Sequence, residues 1–309
     1  MSRRVGVLAS AVATTALAFG LATAWAATAD TSDGGMQTNI VGGHAPTQAY
    51  PPGAFAAVTY SAPKHGVENR FTCTAAQTNG RYVRIAAHCV TDVPAGFSAD
   101  AKARLMKFYG LDATAAAIPT ADKQFSVRVG SPDRTSGGVV TTASVAWVHP
   151  GWAWGNSPES DDIALLKTDQ YLDSYALPIA PRKARPGDVV YSLGWGGTEP
   201  VFAGELPTQI RELQRRVVPA SKCVDAGITT RDICLDNPQG AKGNCNGDSG
   251  GAAVLKINGV YYDAGITSRG GSPICGATPD VYTSTPEFTR ELYAAMQTAP
   301  GKTHGAPVR

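Results

Sequence analysis

The chain has 309 residues, 43% hydrophobic and 17% charged, with 34 Gly and 21 Pro, which suits a loop-rich, mainly β protein with a sizeable core and excludes a coiled coil or a disordered chain. The formal net charge is +2 and no basic run stands out, so the sequence carries no electrostatic footprint of nucleic-acid binding.

In chain order, Arg3-Arg4, an Ala-rich weakly apolar stretch and Ala24-Trp25-Ala26 read as an export signal over residues 1–26. The general and twin-arginine routes both stay open. Ser, Thr and Gly dilute the stretch, which argues against a membrane anchor, and the first cysteine is Cys73, which argues against a lipoprotein. Residues 27–39 read as an unstructured pro-segment. From Ile40 the pattern is one of short β-type runs separated by Gly, Pro, Asn and Asp, among them 55–60, 81–86, 125–129, 139–148, 163–167, 189–193, 252–257 and 260–267. Such spacing predicts antiparallel sandwiches or barrels. Two segments break the pattern. Residues 98–111 place Ala101, Leu105, Phe108 and Leu111 at helical spacing, and residues 286–297 form a second predicted helix opened by Pro286. Residues 298–309 read as a flexible tail, and no internal repeat is visible.

Six cysteines, Cys73, Cys89, Cys223, Cys234, Cys245 and Cys275, form an even set in an exported chain, which implies disulfides. Spacing alone leaves every pairing open. No C-x-x-C or H-E-x-x-H spacing occurs, and residues 130–139 hold Asp133 as their sole acid, so neither a metal nor a cofactor is expected.

The chemistry centres on Gly247-Asp248-Ser249-Gly250-Gly251. A serine between glycines can sit on a tight turn with its hydroxyl exposed and backbone N–H groups beside it. Serine catalysis also needs a base and a group that fixes the base's tautomer. Of five histidines, His88 in Ala86-Ala87-His88-Cys89 is the candidate base; Asp161-Asp162-Ile163-Ala164-Leu165-Leu166 offers the acid.

These strings, with Ile40-Val41-Gly42-Gly43 and Gly194-Trp195-Gly196, occur in the order found in the chymotrypsin/trypsin-like serine endopeptidases, which the chain resembles over about residues 40–297 as a secreted trypsin-like protease of the bacterial type. The resemblance implies two antiparallel six-stranded β-barrels, a first of about 40–175 and a second of about 176–285, closed by the C-terminal helix 286–297. It implies Ser249 as nucleophile, His88 as general base and then acid, and Asp162, rather than Asp161, as the group orienting His88. The N–H groups of Gly247 and Ser249 would form the oxyanion hole, and Ser268 would hydrogen-bond Asp162. Disulfides Cys73–Cys89, Cys223–Cys234 and Cys245–Cys275 are implied in the same way.

By the same resemblance the chain is a zymogen. Cleavage before Ile40 would free an α-ammonium that pairs with Asp248, and the absence of Lys or Arg in residues 27–39 points to a separate activating protease. In the primary pocket, made of Gly243, Ser268, Gly270 and Asp280, the aspartate of trypsin-like members is replaced by Gly243, while Asp280 brings a carboxylate from the opposite wall. A buried carboxylate needs a cation, so cleavage after Arg or Lys is expected. The alternatives are a relaxed or apolar preference, since Gly243 leaves space, or an Asp280 paired with Lys242 or Arg269. Arg269 replaces the family's usual Trp, which would favour acidic residues upstream of the cut. An insertion at 91–124 is either a surface decoration or a wall on the leaving-group side. The expected setting is extracellular and monomeric, with protein or peptide substrates and proteinaceous inhibitors and without nucleic acid or membrane. The rival classes are a secreted pseudo-protease that only binds and an esterase.

Overall fold

The structure is a computed structural model that describes residues 40–109, 113–155, 161–172, 176–201 and 206–298. Short runs rich in Val, Ala and aromatic residues build the first sheet. It contains β1 (Ala56–Ala62), β2 (Val67–Asn79), β3 (Tyr82–Ile85), β4 (Gln124–Val129), β5 (Val139–Val148) and β6 (Ala164–Thr168). In β4 burial alternates, and Phe125, Val127 and Val129 point inward while their neighbours reach the surface. The second sheet contains β7 (Val189–Gly194), β8 (Arg211–Val218), β9 (Asp232–Leu235), β10 (Ala252–Ile257), β11 (Val260–Gly270) and β12 (Asp280–Thr283).

Each sheet closes on itself, in the orders β1-β2-β3-β6-β5-β4 and β10-β11-β12-β9-β8-β7, with every strand pair antiparallel. Closure removes exposed strand edges, and the architecture is the pair of six-stranded barrels that the resemblance implies. Val58, Tyr60, Val83, Ile85 and Val127 fill the first barrel; Val190, Val217, Ile233, Leu255 and Tyr282 fill the second. A third cluster, with Ala57, Ala76, Leu193, Trp195 and Val254, lies between them.

The two helical expectations shift at their ends. In the insertion, α1 spans Ala99–Phe108, Tyr109 is already a turn, and α2 spans Ala113–Ala117; Leu111, placed on the helix by periodicity, falls outside the described residues. At the C-terminus the helix begins later than Pro286. Residues Thr285–Phe288 form a 3-10 turn that starts with Pro286 near its head, and α3 runs Thr289–Gln297. Phe288 and Leu292 pack with Tyr82 and Leu165 of the first barrel and Ile266 of the second. The signal, the pro-segment and the tail beyond Thr298 lie outside the described residues. Among the described residues no helix is long and apolar enough to cross a membrane.

Candidate active site

Strand register brings His88 and Asp162 together. β3 ends at Ile85, which pairs with Ala164 at the head of β6. The 3-10 turn Ala87–Cys89 therefore runs beside the residues entering β6. His88 Nδ1 stands 2.7 Å from Asp162 Oδ2, and the His88 backbone N–H donates to Oδ1 at 3.0 Å. Ser268 Oγ, on β11 of the other barrel, donates to Asp162 Oδ2 at 2.6 Å. Burial alone would push the Asp162 carboxyl up. The adjoining imidazole and these hydrogen bonds outweigh it and hold the group below the usual carboxylate range. A proton on Nδ1 directed at Asp162 leaves Nε2 as the acceptor nitrogen. Nε2 is buried and has no hydrogen-bond partner among the described residues.

Ser249 stands three residues ahead of β10, on a loop tied to both barrels. Thr74 of β2 donates to the Gly247 carbonyl from its N–H at 3.1 Å and from Oγ1 at 2.8 Å, and Gly250 N–H donates to Thr267 O at 2.8 Å. Gly250 has φ +80, and a Cβ there would lie 2.9 Å from Ile85 Cγ1 and 3.1 Å from Ala86 N. Only glycine lets the loop press so closely on the His88 turn. The N–H groups of Gly247 and Ser249 have no acceptor among the described residues. Ser249 Oγ is not hydrogen-bonded to His88; it makes a long contact of 3.5 Å to the Tyr109 carbonyl.

That carbonyl belongs to the insertion, which is therefore more than a surface decoration. Its base is closed by Asp92 Oδ1, which accepts from both N–H and Oγ1 of Thr120 at 2.7 Å. The Tyr109 ring lies 5.0 Å from the His88 ring and is boxed by Trp152 and Trp154 at 5.7 and 5.4 Å. Sequence periodicity did not single out Tyr109: the residue lies inside the predicted run 98–111, but the helix ends at Phe108 and Tyr109 is already a turn.

Ile40 is fully buried, and Val41 is bridged to Gly243, whose N–H donates to the Val41 carbonyl at 3.2 Å. Ile40 adopts φ +44, a region that a β-branched residue avoids. Asp248 is fully buried and accepts from Gly196 N–H at 2.7 Å and Cys245 N–H at 2.8 Å. No ion pair to it occurs among the described residues, and burial pushes its carboxyl up to about 7.

Beside Ser249 opens a cavity lined by Asn244, Cys245, Thr267, Ser268, Gly270 and Asp280, with Tyr109 also in its wall. Gly243 does not line it. A Cβ at Gly243 would lie 2.9 Å from both Asp280 Oδ2 and Gly276 Cα, so the space expected at this glycine is filled. Nor is Asp280 short of a cation. Arg215 Nη1 pairs with its Oδ2 at 2.6 Å, and Asn244 N–H donates to the same oxygen at 3.0 Å. The partner is neither Lys242 nor Arg269. Burial works against the Arg215 guanidinium, but its neighbours, Asp280 first and then Tyr282 and Asp236, together more than offset it and hold the group cationic.

Two further expectations change. Arg269 does not offer its charge to substrate: its guanidinium pairs with Asp232 at 2.8 Å and donates to Ser268 Oγ at 2.9 Å and to the carbonyls of Ala226 and Gly227. Asp161 turns away from His88 to pair with Arg231 at 3.0 Å. The cysteines join as Cys73–Cys89, Cys223–Cys234 and Cys245–Cys275. The first ties β2 to the His88 turn, and the third ties the Ser249 loop to the far side of the cavity.

A family model described as trypsin matches residues 112–290, a stretch that includes Asp162 and Ser249. CLIP domain-containing serine protease B4 of Anopheles gambiae is 26% identical over 235 residues, 71% of this chain and 60% of the relative. Melanization protease 1 of Drosophila melanogaster is 31% identical over 266 residues, 79% of this chain and 62% of the relative. The chain thus spans about 60% of the length of these curated relatives. A solved structure titled "Structure of GrC" superposes with TM-score 0.62 at 22% identity, covering 84% of this chain and 100% of its own, a likeness of fold.

Proposed function

The chain belongs to the trypsin family, and on that premise we propose that it is an exported serine endopeptidase that cuts peptide bonds through an acyl-enzyme on Ser249. The observation that carries the proposal is the buried hydrogen-bonded run Ser268–Asp162–His88, ending on an Nε2 that lacks a partner among the described residues beside the Ser249 loop. Ser249 Oγ attacks the scissile carbonyl as its proton passes to His88 Nε2. The same proton leaves with the departing amine, and a water then cleaves the ester by the reverse sequence. Asp162 does not take the proton; it holds the imidazole in the tautomer that leaves Nε2 as the acceptor and stabilises the imidazolium as it forms. The N–H groups of Gly247 and Ser249 receive the oxyanion, where losing one such donor costs about 3–4 kcal/mol.

The working unit is residues 40–297, released from a signal (1–26) and a pro-segment (27–39), with 298–309 a tail and with protein or peptide substrates outside the cell. Activation is cleavage before Ile40 by another protease. The support is twofold: a buried Asp248 without an ion-pair partner among the described residues, and a β-branched Ile40 held at positive φ while the Asn39–Ile40 bond is intact. The new ammonium supplies the missing cation and cutting the bond removes the strain. The expected Arg or Lys preference loses its premise, because Arg215 already neutralises Asp280.

The test is covalent labelling with a fluorophosphonate after processing. The protein should be labelled at Ser249 and begin at Ile40, and Ser249→Ala should abolish labelling. Processed protein that resists the reagent overturns the proposal.

A further inference from the structure

The floor of the primary pocket is an ion pair, and this decides what side chain it takes. Arg215 projects inward from β8, where burial alternates through Leu213, Arg215 and Val217, and its side chain is wholly buried. Asp280 opens β12, and β9 runs between the two strands. Arg215 Nη1 reaches past β9 to Asp280 Oδ2 and also donates to Asn244 Oδ1 at 2.7 Å, while its other nitrogens hold the carbonyls of Leu235 and Asp236. The guanidinium is therefore locked in place by main chain as well as by charge.

Asp280 is 5% exposed and lines the cavity. Its Oδ2 takes both donors, whereas Oδ1 has no hydrogen bond among the described residues and stands against the Gly270 wall, 3.1 Å from where a Cβ would lie. The pocket thus presents one acceptor oxygen of a carboxylate whose charge is already cancelled. An entering ammonium or guanidinium would be stripped of water and meet a floor of almost no net charge, with Arg215 behind it. A neutral donor satisfies Oδ1 at a far smaller desolvation cost.

We propose that the Arg215–Asp280 pair makes this pocket select an uncharged side chain bearing a hydrogen-bond donor, glutamine foremost, on the residue before the cut, and withholds the advantage of Arg and Lys. This deepens, and rests on, the assignment of Ser249 as the nucleophile.

The experiment uses processed enzyme, active sites titrated by fluorophosphonate, and peptides that differ only in Gln, Leu, Arg or Lys before the cut. Wild type should turn over the Gln peptide with kcat/KM at least equal to that for Arg and Lys. Arg215→Met, which strips Asp280 of its cation, should raise the Arg/Gln ratio by about 30-fold or more, a change in selectivity that loss of structure alone would not give. A wild-type preference for Arg or Lys above about tenfold, or a ratio unmoved in Arg215→Met, overturns the proposal. Should that variant fail to fold, wild type decides through two probes of equal shape. Benzamidine should inhibit less than about tenfold more tightly than benzamide, and a larger margin overturns the assignment. Failure of Ser249 to take the phosphonate sinks the nucleophile assignment itself; full labelling with a strong Arg preference sinks only the pocket's.

Discussion

Ser268 hands its hydroxyl hydrogen to Asp162 because Arg269, a cation with no acceptor capacity, occupies its lone pair at 2.9 Å. The hydroxyl cannot turn the other way, so Asp162 receives a hydrogen bond of fixed direction. Ser268→Ala should lower kcat by about tenfold with little change in KM, the scale of one hydrogen bond to a charged group. A larger KM change than kcat change in steady-state kinetics would count against this role. At Asp248 the expectation concerns pH. Its folded carboxyl keeps its proton up to about 7, whereas the unfolded chain releases it near 4. The folded state therefore binds more protons between these values, and the uncleaved chain should lose stability as pH rises from about 4 to about 7. Melting curves of the uncleaved chain should show this slope. Asp248→Asn should remove it, and so should processing, which supplies the Ile40 ammonium. The strings around His88, Asp162 and Ser249 stood out in the sequence because each is a run of adjacent residues. Arg215 was not, since its partner is set by strand order: β8 and β12 are neighbours only through β9. A signal was present in Leu213-x-Arg215-x-Val217, where a period of two puts the arginine on the apolar face.

The insertion is the element that alters access. Its helix α1 was foreseen from periodicity, yet its consequence lies in Tyr109, one residue past the helix end. The ring covers His88 and the carbonyl stands at Ser249 Oγ, so Tyr109 occupies ground that a long substrate must cross. Tyr109→Ala should raise kcat/KM on folded protein substrates by about tenfold while changing a short peptide ester by less than about threefold. Equal changes on both would show that the ring does not gate access. The strand β8 was the element least visible in sequence. Its two buried charges, Glu212 and Arg215, lie on opposite faces of the strand, so it lacks the apolar alternation by which β4 declares itself. Buried charge hides a strand from a hydrophobicity pattern even when its burial alternates normally.

At the scale of the molecule, the site exists only where the barrels meet: His88 and Asp162 come from the first, Ser249 and Ser268 from the second. Their docking is fixed by polar as well as apolar contacts. Arg84 of β3 forms an ion pair with Asp263 of β11, both fully buried, and also donates to the carbonyls of Gln77 and Leu177. Arg231, at the head of β9, reaches Asp161 of the first barrel and Glu291 of α3, and lies 3.6 Å over the Phe288 ring. None of these pairs could be foreseen from the chain, because each joins residues that only barrel closure and docking bring together. A buried pair costs most when one partner is removed and the other stays charged, by about 3–5 kcal/mol. Asp263→Leu should therefore destabilise the chain by that amount, and Arg84→Met/Asp263→Leu by clearly less, both read from urea unfolding midpoints. The same comparison separates stability from alignment. If the pair only stabilises, the double variant should recover kcat together with its midpoint. If Arg84 also sets the approach of the barrels, kcat should stay low after stability returns, since Ser249 and His88 are carried on opposite sides of that joint.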